Sequence, residues 1–157
     1  MAFYPASSAT FPASNFATHD LTNNRRVVDF DASADETCYI EGYLPSSHGG
    51  GGLTVVLFFS TTDDTDANKV RWDVDFERVN TAITADSFTG SPQSLSVLVN
   101  ATINVRTAAT IAFTEGGQMD SLAAGEEFRL EIKRVATHGD DTCTTDASLS
   151  GVAVYET

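Results

Sequence analysis

The chain has 157 residues, 41% of them hydrophobic and 20% charged, a composition that suits one soluble globular domain. Nine Lys and Arg stand against 22 Asp and Glu, a formal net charge of −13. That sign excludes the basic face that phosphate neutralisation needs and the basic stretch that docks on an anionic bilayer, so neither nucleic acid nor membrane is expected as a partner.

Residues 1–25 differ from the rest. They are rich in Ala, Ser and Thr, with Pro5 and Pro12 and isolated aromatics at Phe3, Tyr4, Phe11 and Phe16, and they show neither helical nor period-2 patterning. Proline favours extended backbone before it. With no basic start and no apolar run, the stretch is not expected to be a signal peptide. It reads as an extended N-terminal arm over 1–25, ahead of a domain over 26–157. Aromatics spaced along an arm would be wasted in water, so they pack either on the arm's own domain or on a neighbouring subunit.

From residue 26 the pattern becomes strand after strand. Val27, Val28 and Phe30 open a short one, ended by Asp31-Ala32-Ser33. A second runs from Glu36 to Leu44, with Cys38, Ile40 and Leu44 alternating against Tyr39, Glu41 and Tyr43. Four glycines, Gly49 to Gly52, follow as a flexible loop. The third strand, Leu53 to Ser60, is apolar on both faces, with Val56 and Phe58 opposite Leu53, Val55, Leu57 and Phe59. Two-sided apolarity implies a central strand or a subunit contact. The fourth, Lys69 to Asn80, alternates Val70, Trp72, Val74 and Phe76 with Arg71, Asp73, Asp75 and Glu77. A loop at Ser87–Pro92 leads to a fifth over Leu95 to Val105, then a sixth over Thr110 to Thr114. A short turn at Met119–Leu122 precedes the seventh, Glu127 to Val135, and an acidic loop at His138–Asp146 precedes the last, Ser148 to Tyr155. Eight short strands separated by Gly, Pro and Asp turns predict an all-β antiparallel sandwich or barrel, with the eight-stranded jelly roll leading.

Chemistry is sparse. His19, His48 and His138 fall in the arm, the glycine loop and an acidic loop, far from the clustered strand positions a metal site would use. No nucleophile elbow and no phosphate loop are present. Asp73 and Asp75 are paired carboxylates on the solvent side of a strand, better explained by solvation than by glycosidase chemistry. Two acidic loops, one with Asp63, Asp64 and Asp66 and one with Asp140, Asp141 and Asp146, offer oxygen donors but lack a calcium-loop register. Asn100-Ala101-Thr102 matches a glycosylation sequon within an expected strand. Cys38 alternates with Ile40 and reads as a buried free thiol, with a Cys38–Cys143 bridge as the alternative. The chain is expected to have no catalytic residues, no metal and no cofactor.

One resemblance emerges from the order of segments. Val-Val-Asp-Phe-Asp-Ala (27–32) runs into Asp-Glu-Thr-Cys-Tyr-Ile-Glu-Gly-Tyr-Leu-Pro (35–45), followed by Gly-Gly-Leu-Thr-Val (51–55) and Trp-Asp-Val-Asp-Phe-Glu-Arg (72–78). Met-Asp-Ser-Leu-Ala-Ala-Gly-Glu (119–126) then leads into Phe-Arg-Leu (128–130). From about residue 25 onward the chain resembles small jelly-roll structural proteins of tailed bacteriophages, in particular capsid cement (decoration) proteins. The resemblance implies a homotrimer on the outside of the virion's capsid, bound to the major capsid protein and made in the cytoplasm of a bacterial host. The expected partner and oligomer contacts are Phe3, Tyr4, Phe11 and Phe16 of the arm, with Val56 and Phe58. The alternative is a phage tail-fibre or baseplate module, or a carbohydrate-binding sandwich, for which Tyr39, Tyr43 and Trp72 are the candidate aromatics.

Overall fold

The computed structural model describes residues 2–79, 84, 87, 88 and 91–157. Two antiparallel sheets pack face to face. Among the described residues ten strands build them: β1 (Ala2–Pro5), β2 (Thr18–Thr22), β3 (Arg25–Phe30), β4 (Glu36–Tyr43), β5 (Leu53–Thr61), β6 (Lys69–Val79), β7 (Gln93–Leu98), β8 (Thr107–Phe113), β9 (Glu127–Arg134) and β10 (Ala147–Glu156). The larger sheet runs β2-β3-β10-β5-β8, with β1 also on β10, and the smaller runs β4-β9-β6-β7.

The expected sandwich is therefore present, with two strands more than the eight read from the pattern. Both extra strands come from residues 1–25, which do not form an arm reaching away from the domain. β1 pairs with Gly151–Val154 of β10, and β2 forms a hairpin with β3. Between them the chain crosses to the other sheet, where Thr10 exchanges two backbone hydrogen bonds with Tyr39 and Ala17 donates to the Thr37 carbonyl. The small side chains of Ala6, Ala9 and Ala17 let this backbone lie close on the core. The segment is a strap that closes one open side of the sandwich, and a boundary at residue 25 has no counterpart in the strand pairing.

β10 takes two partners on one edge. β3 pairs with Ala147–Leu149, β1 pairs from Gly151 onward, and the ladder to β5 is irregular between Leu149 and Gly151. β5, between β10 and β8, is central, which accounts for its apolar run. Its Leu53, Val55, Leu57 and Phe59 face the core, Val56 is buried on the outer face, and Phe58 there is half-buried.

Alternation on β6 and β9 places Val70, Trp72, Val74 and Phe76 against Phe128, Leu130 and Ile132 in the core. Trp72 is fully buried, with Phe30 and Phe59 edge-on at 5.1 and 5.4 Å. At one end, the fully buried Arg134 donates to both carboxylate oxygens of Asp141 and to the carbonyls of Phe30, Cys143 and Thr145. Cys38 and Cys143 are both buried free thiols, and burial pushes the Cys38 thiol up.

Two further elements have bounds that differ from the pattern. The fifth strand covers Gln93–Leu98 and stops short of Val105, because Asn100 folds back to accept from the Thr102 N–H and Asn104 adopts φ 61°. β8 begins earlier than expected, at Thr107. The expected strand end at Asn80 lies outside the described residues, as do Thr89 and Gly90 of the loop after it.

Candidate functional site

The outer face of the smaller sheet is built in rows set by the strand register. Tyr39, Glu131 and Asp75 lie side by side on β4, β9 and β6; the next row is Glu41, Arg129 and Glu77, and the next Tyr43, Glu127 and Val79. Outward alternation on three adjacent strands thus collects charged and aromatic side chains that are far apart in sequence.

Arg129 organises this face. Its Nε donates to Glu77 Oε2 at 2.6 Å, and its guanidinium lies over the Tyr39 and Phe88 rings at 5.5 and 5.3 Å from their centroids. Those rings are themselves stacked, 5.5 Å apart and 11° from parallel. Glu77 is fully buried although it points outward, so Arg129 supplies the counter-charge that a buried carboxylate requires. Its Oε1 has no hydrogen-bond partner among the described residues. Glu131 is held above the usual carboxylate range by burial first and then by Asp75 alongside it.

Where β4, β6 and β9 end, these rows border a cleft of about 510 Å³ lined by Glu41, Gly42, Tyr43, Val79, Glu127, Phe128 and Arg129. Tyr43 is 52% exposed. Its position depends on Gly42, where a Cβ would come within 2.3 Å of the Phe128 ring and 2.5 Å of the Tyr4 hydroxyl. The Tyr4 hydroxyl reaches this point from the strap, and burial pushes its phenol up. An exposed ring beside carboxylates and a fixed guanidinium is an arrangement for holding a polyol: apolar contact on one side, oriented donors and acceptors on the others.

The residues singled out in the sequence are scattered. Tyr39 and Tyr43 share the face just described, whereas Trp72 is in the core and presents nothing to a ligand. Tyr4 points inward, edge-on to Phe128 at 6.3 Å, and Phe11 packs edge-on to His19 at 4.9 Å. Phe16 is 44% exposed beside the β4 edge. Phe3 and Phe58 meet on the outer face of the other sheet, with Val56 buried nearby.

In each acidic loop some carboxylates bond to the protein itself. Asp63 accepts from the backbone N–H of Thr65 and Thr144 and from Asn68 Nδ2, which holds its carboxyl well below the usual range. Asp141 is the partner of Arg134, and Asp146 accepts from the Ala32 N–H. Asp73 bonds Arg71 Nε and Ser94 Oγ. His48 Nδ1 lies 2.7 Å from Glu156 Oε1, and His138 Nδ1 accepts from the Asp140 N–H. Among the described residues no group of three or more His, Cys, Asp or Glu could hold a metal ion.

The whole chain is matched by solved structures of carbohydrate-binding modules. A family 35 module from Clostridium thermocellum aligns with TM-score 0.63 at 9% identity, covering 98% of each chain. A family 35 module from an environmental isolate aligns with TM-score 0.60 at 11% identity, covering 99% of this chain and 93% of that one. The C-terminal family 6 module of LamC, a marine laminarinase from Zobellia galactanivorans, gives TM-score 0.60 at 12% identity, covering 99% and 98%. The chain has their jelly-roll fold. No family model and no curated protein sequence matches it.

Arg129, Glu77, Glu41 and Glu127 were not foreseen as site residues. In sequence they are only the outward halves of alternating strands, and the Arg129–Glu77 pair spans 52 positions. The one available signal was complementary charge at outward positions of two strands, legible only once their pairing is known.

Proposed function

We propose that this chain is a non-catalytic carbohydrate-binding β-sandwich module that holds its ligand on the outer face of the smaller sheet. The observation that carries the reading is the cleft where exposed Tyr43 stands beside Arg129, Glu41 and Glu127. A sugar ring laid on Tyr43 places its hydroxyls among those polar groups, and the rigid sheet holds them in place without reorganisation on binding. The test is a panel of soluble polysaccharides in affinity electrophoresis, comparing the intact chain with Tyr43→Ala. Retardation by at least one glycan, weakened about tenfold in the variant at unchanged melting temperature, supports the reading. No retardation by any glycan overturns it.

A second reading, a virion structural protein bound to the outside of a capsid, is favoured by the apolar side chains that residues 1–25 leave in water: Phe3 is 55%, Phe16 44% and Leu21 62% exposed. Because this segment is part of the sandwich, deleting it would disrupt the fold. Phe16→Ser with Leu21→Ser is the cleaner probe, read as loss of co-sedimentation with capsids while the melting temperature holds. Co-sedimentation unaffected by the double change sinks this reading.

A further inference from the structure

The cations of this acidic chain are unevenly placed. Arg71, Arg78, Arg129, Lys133 and Arg134 sit in ion pairs with carboxylates. Four cations have no ion pair among the described residues and are exposed: Lys69 at the start of β6, and the arginines Arg25, Arg26 and Arg106. In a chain of net charge −13, where carboxylates outnumber cations more than two to one, unpaired arginines should be the exception. The three arginines belong to the larger sheet: Arg25 and Arg26 open β3, and Arg106 immediately precedes β8.

Their setting is specific. Arg25 and Arg26 line a shallow hollow of about 320 Å³ with Phe3, Pro5, Ser7 and Ser150. The Phe3 ring covers Gly151, where a Cβ would meet it at 2.5 Å, and reaches Phe58 with ring centroids 6.3 Å apart. The Arg106 guanidinium covers the far side, 4.7 Å from the Phe58 centroid. Ser150 Oγ donates to the Phe58 carbonyl at 3.0 Å, which leaves its lone pairs free to accept from a ligand hydroxyl. An apolar floor of Phe3 and Pro5 is thus bordered by guanidinium groups and hydroxyls.

We propose that this hollow and the Phe3–Phe58–Arg106 run beside it form a second binding site, for an anionic glycan carrying carboxylate or sulfate groups on its rings. A guanidinium pairs such groups through two parallel hydrogen bonds, and the Phe3 and Pro5 surfaces suit the apolar face of a pyranose. Nucleic acid fits poorly: its phosphates are densely spaced, and three cations on a strongly acidic body neutralise few of them. The site is separate from the Tyr43 cleft and does not depend on it.

The experiment is affinity electrophoresis of the intact chain in gels containing polygalacturonate, dextran sulfate or neutral hydroxyethylcellulose, with a single-stranded DNA oligonucleotide as an anisotropy probe. Retardation by at least one anionic polysaccharide is expected. It should weaken about tenfold in Arg25→Ser/Arg26→Ser, weaken as salt rises, and persist in Tyr43→Ala. Phe3→Ala should weaken it severalfold at unchanged charge, which separates a built site from mere attraction between opposite charges. The proposal is overturned by no retardation in either anionic gel, by retardation that the double arginine variant retains, or by DNA binding as tight as the glycan's. Because Tyr43→Ala leaves this site intact, failure here and failure of the Tyr43 cleft are read independently.

Discussion

The outer faces of the two sheets solve opposite problems. On the smaller sheet charge is dense and most of its cations are paired: Arg129 answers a fully buried Glu77, Arg71 answers Asp73, and Lys133 answers Asp35. On the larger sheet charge is sparse and unsettled, with three arginines and a half-exposed phenylalanine pair facing solvent. An ion pair with one member buried is part of the fold, and removing the exposed partner strands the buried one in low dielectric. An exposed unpaired arginine costs the fold almost nothing and stays available. The contrast predicts that substitutions at the ion pairs of the first face read out as stability, and at the arginines of the second as binding.

The largest expected effect is Arg129→Ala, which leaves Glu77 buried without its counter-charge and should cost about 3 kcal/mol in urea unfolding. Arg25→Ala, Arg26→Ala and Arg106→Ala should each stay within about 0.5 kcal/mol in the same assay, and equal losses on both faces would break the comparison. Next is Gly42→Ala, whose added methyl collides with Phe128 and the Tyr4 hydroxyl. A loss of about 2 kcal/mol is expected, together with weaker glycan retention, since Tyr43 is the next residue. Tyr4→Phe removes the hydroxyl packed against Gly42 and should cost about 1 kcal/mol or less by thermal unfolding.

The smallest effect is a pH dependence. Glu131 titrates above its ordinary value in the folded chain, so its ionised form opposes folding. That cost is present above the raised folded value and disappears as pH falls to the ordinary value near 4.5. Glu131→Gln should therefore stabilise the chain at neutral pH, with the gain shrinking on acidification through that window. Asp63 works in the opposite direction. Its carboxyl is held low, so the stability it contributes is complete above the ordinary value near 3.8 and is lost as pH falls below it. Asp63→Asn should remove most of that acid sensitivity.

How much of this was legible depended on whether a signal was local. β6 and β9 were readable because each carries its own inside/outside alternation, and β5 because a central strand is apolar on both faces. β1 and β2 were not. β2 is almost wholly exposed and polar, and β1 is four residues long and ends at Pro5, so neither shows a period. What holds them is backbone pairing to β10 and β3 and the burial of three alanines, none of which leaves a pattern in the strap itself. Tyr39 and Tyr43 could be named in advance as outward aromatics. Trp72 was misplaced among glycan candidates, since its alternation with Val70 and Val74 already put it inside. The arginine–carboxylate frame around them required the register of sequence-distant strands.

The position of β10 has a consequence for how the protein is made. Residues 147–156 supply the strand that β1, β3 and β5 all pair with, yet they follow every other strand in the chain. During synthesis at roughly 5–20 residues per second, the larger sheet stays split into the β2–β3 hairpin and the β5–β8 pair until that segment leaves the ribosome. Meanwhile the inner edges of β3 and β5 are unpaired, and β5 carries Leu-Thr-Val-Val-Leu-Phe-Phe without a charge. Of the two flanks of β5, only the one after it supplies acids, at Asp63, Asp64 and Asp66, charges of the kind that keep an exposed apolar strand from pairing with its copies.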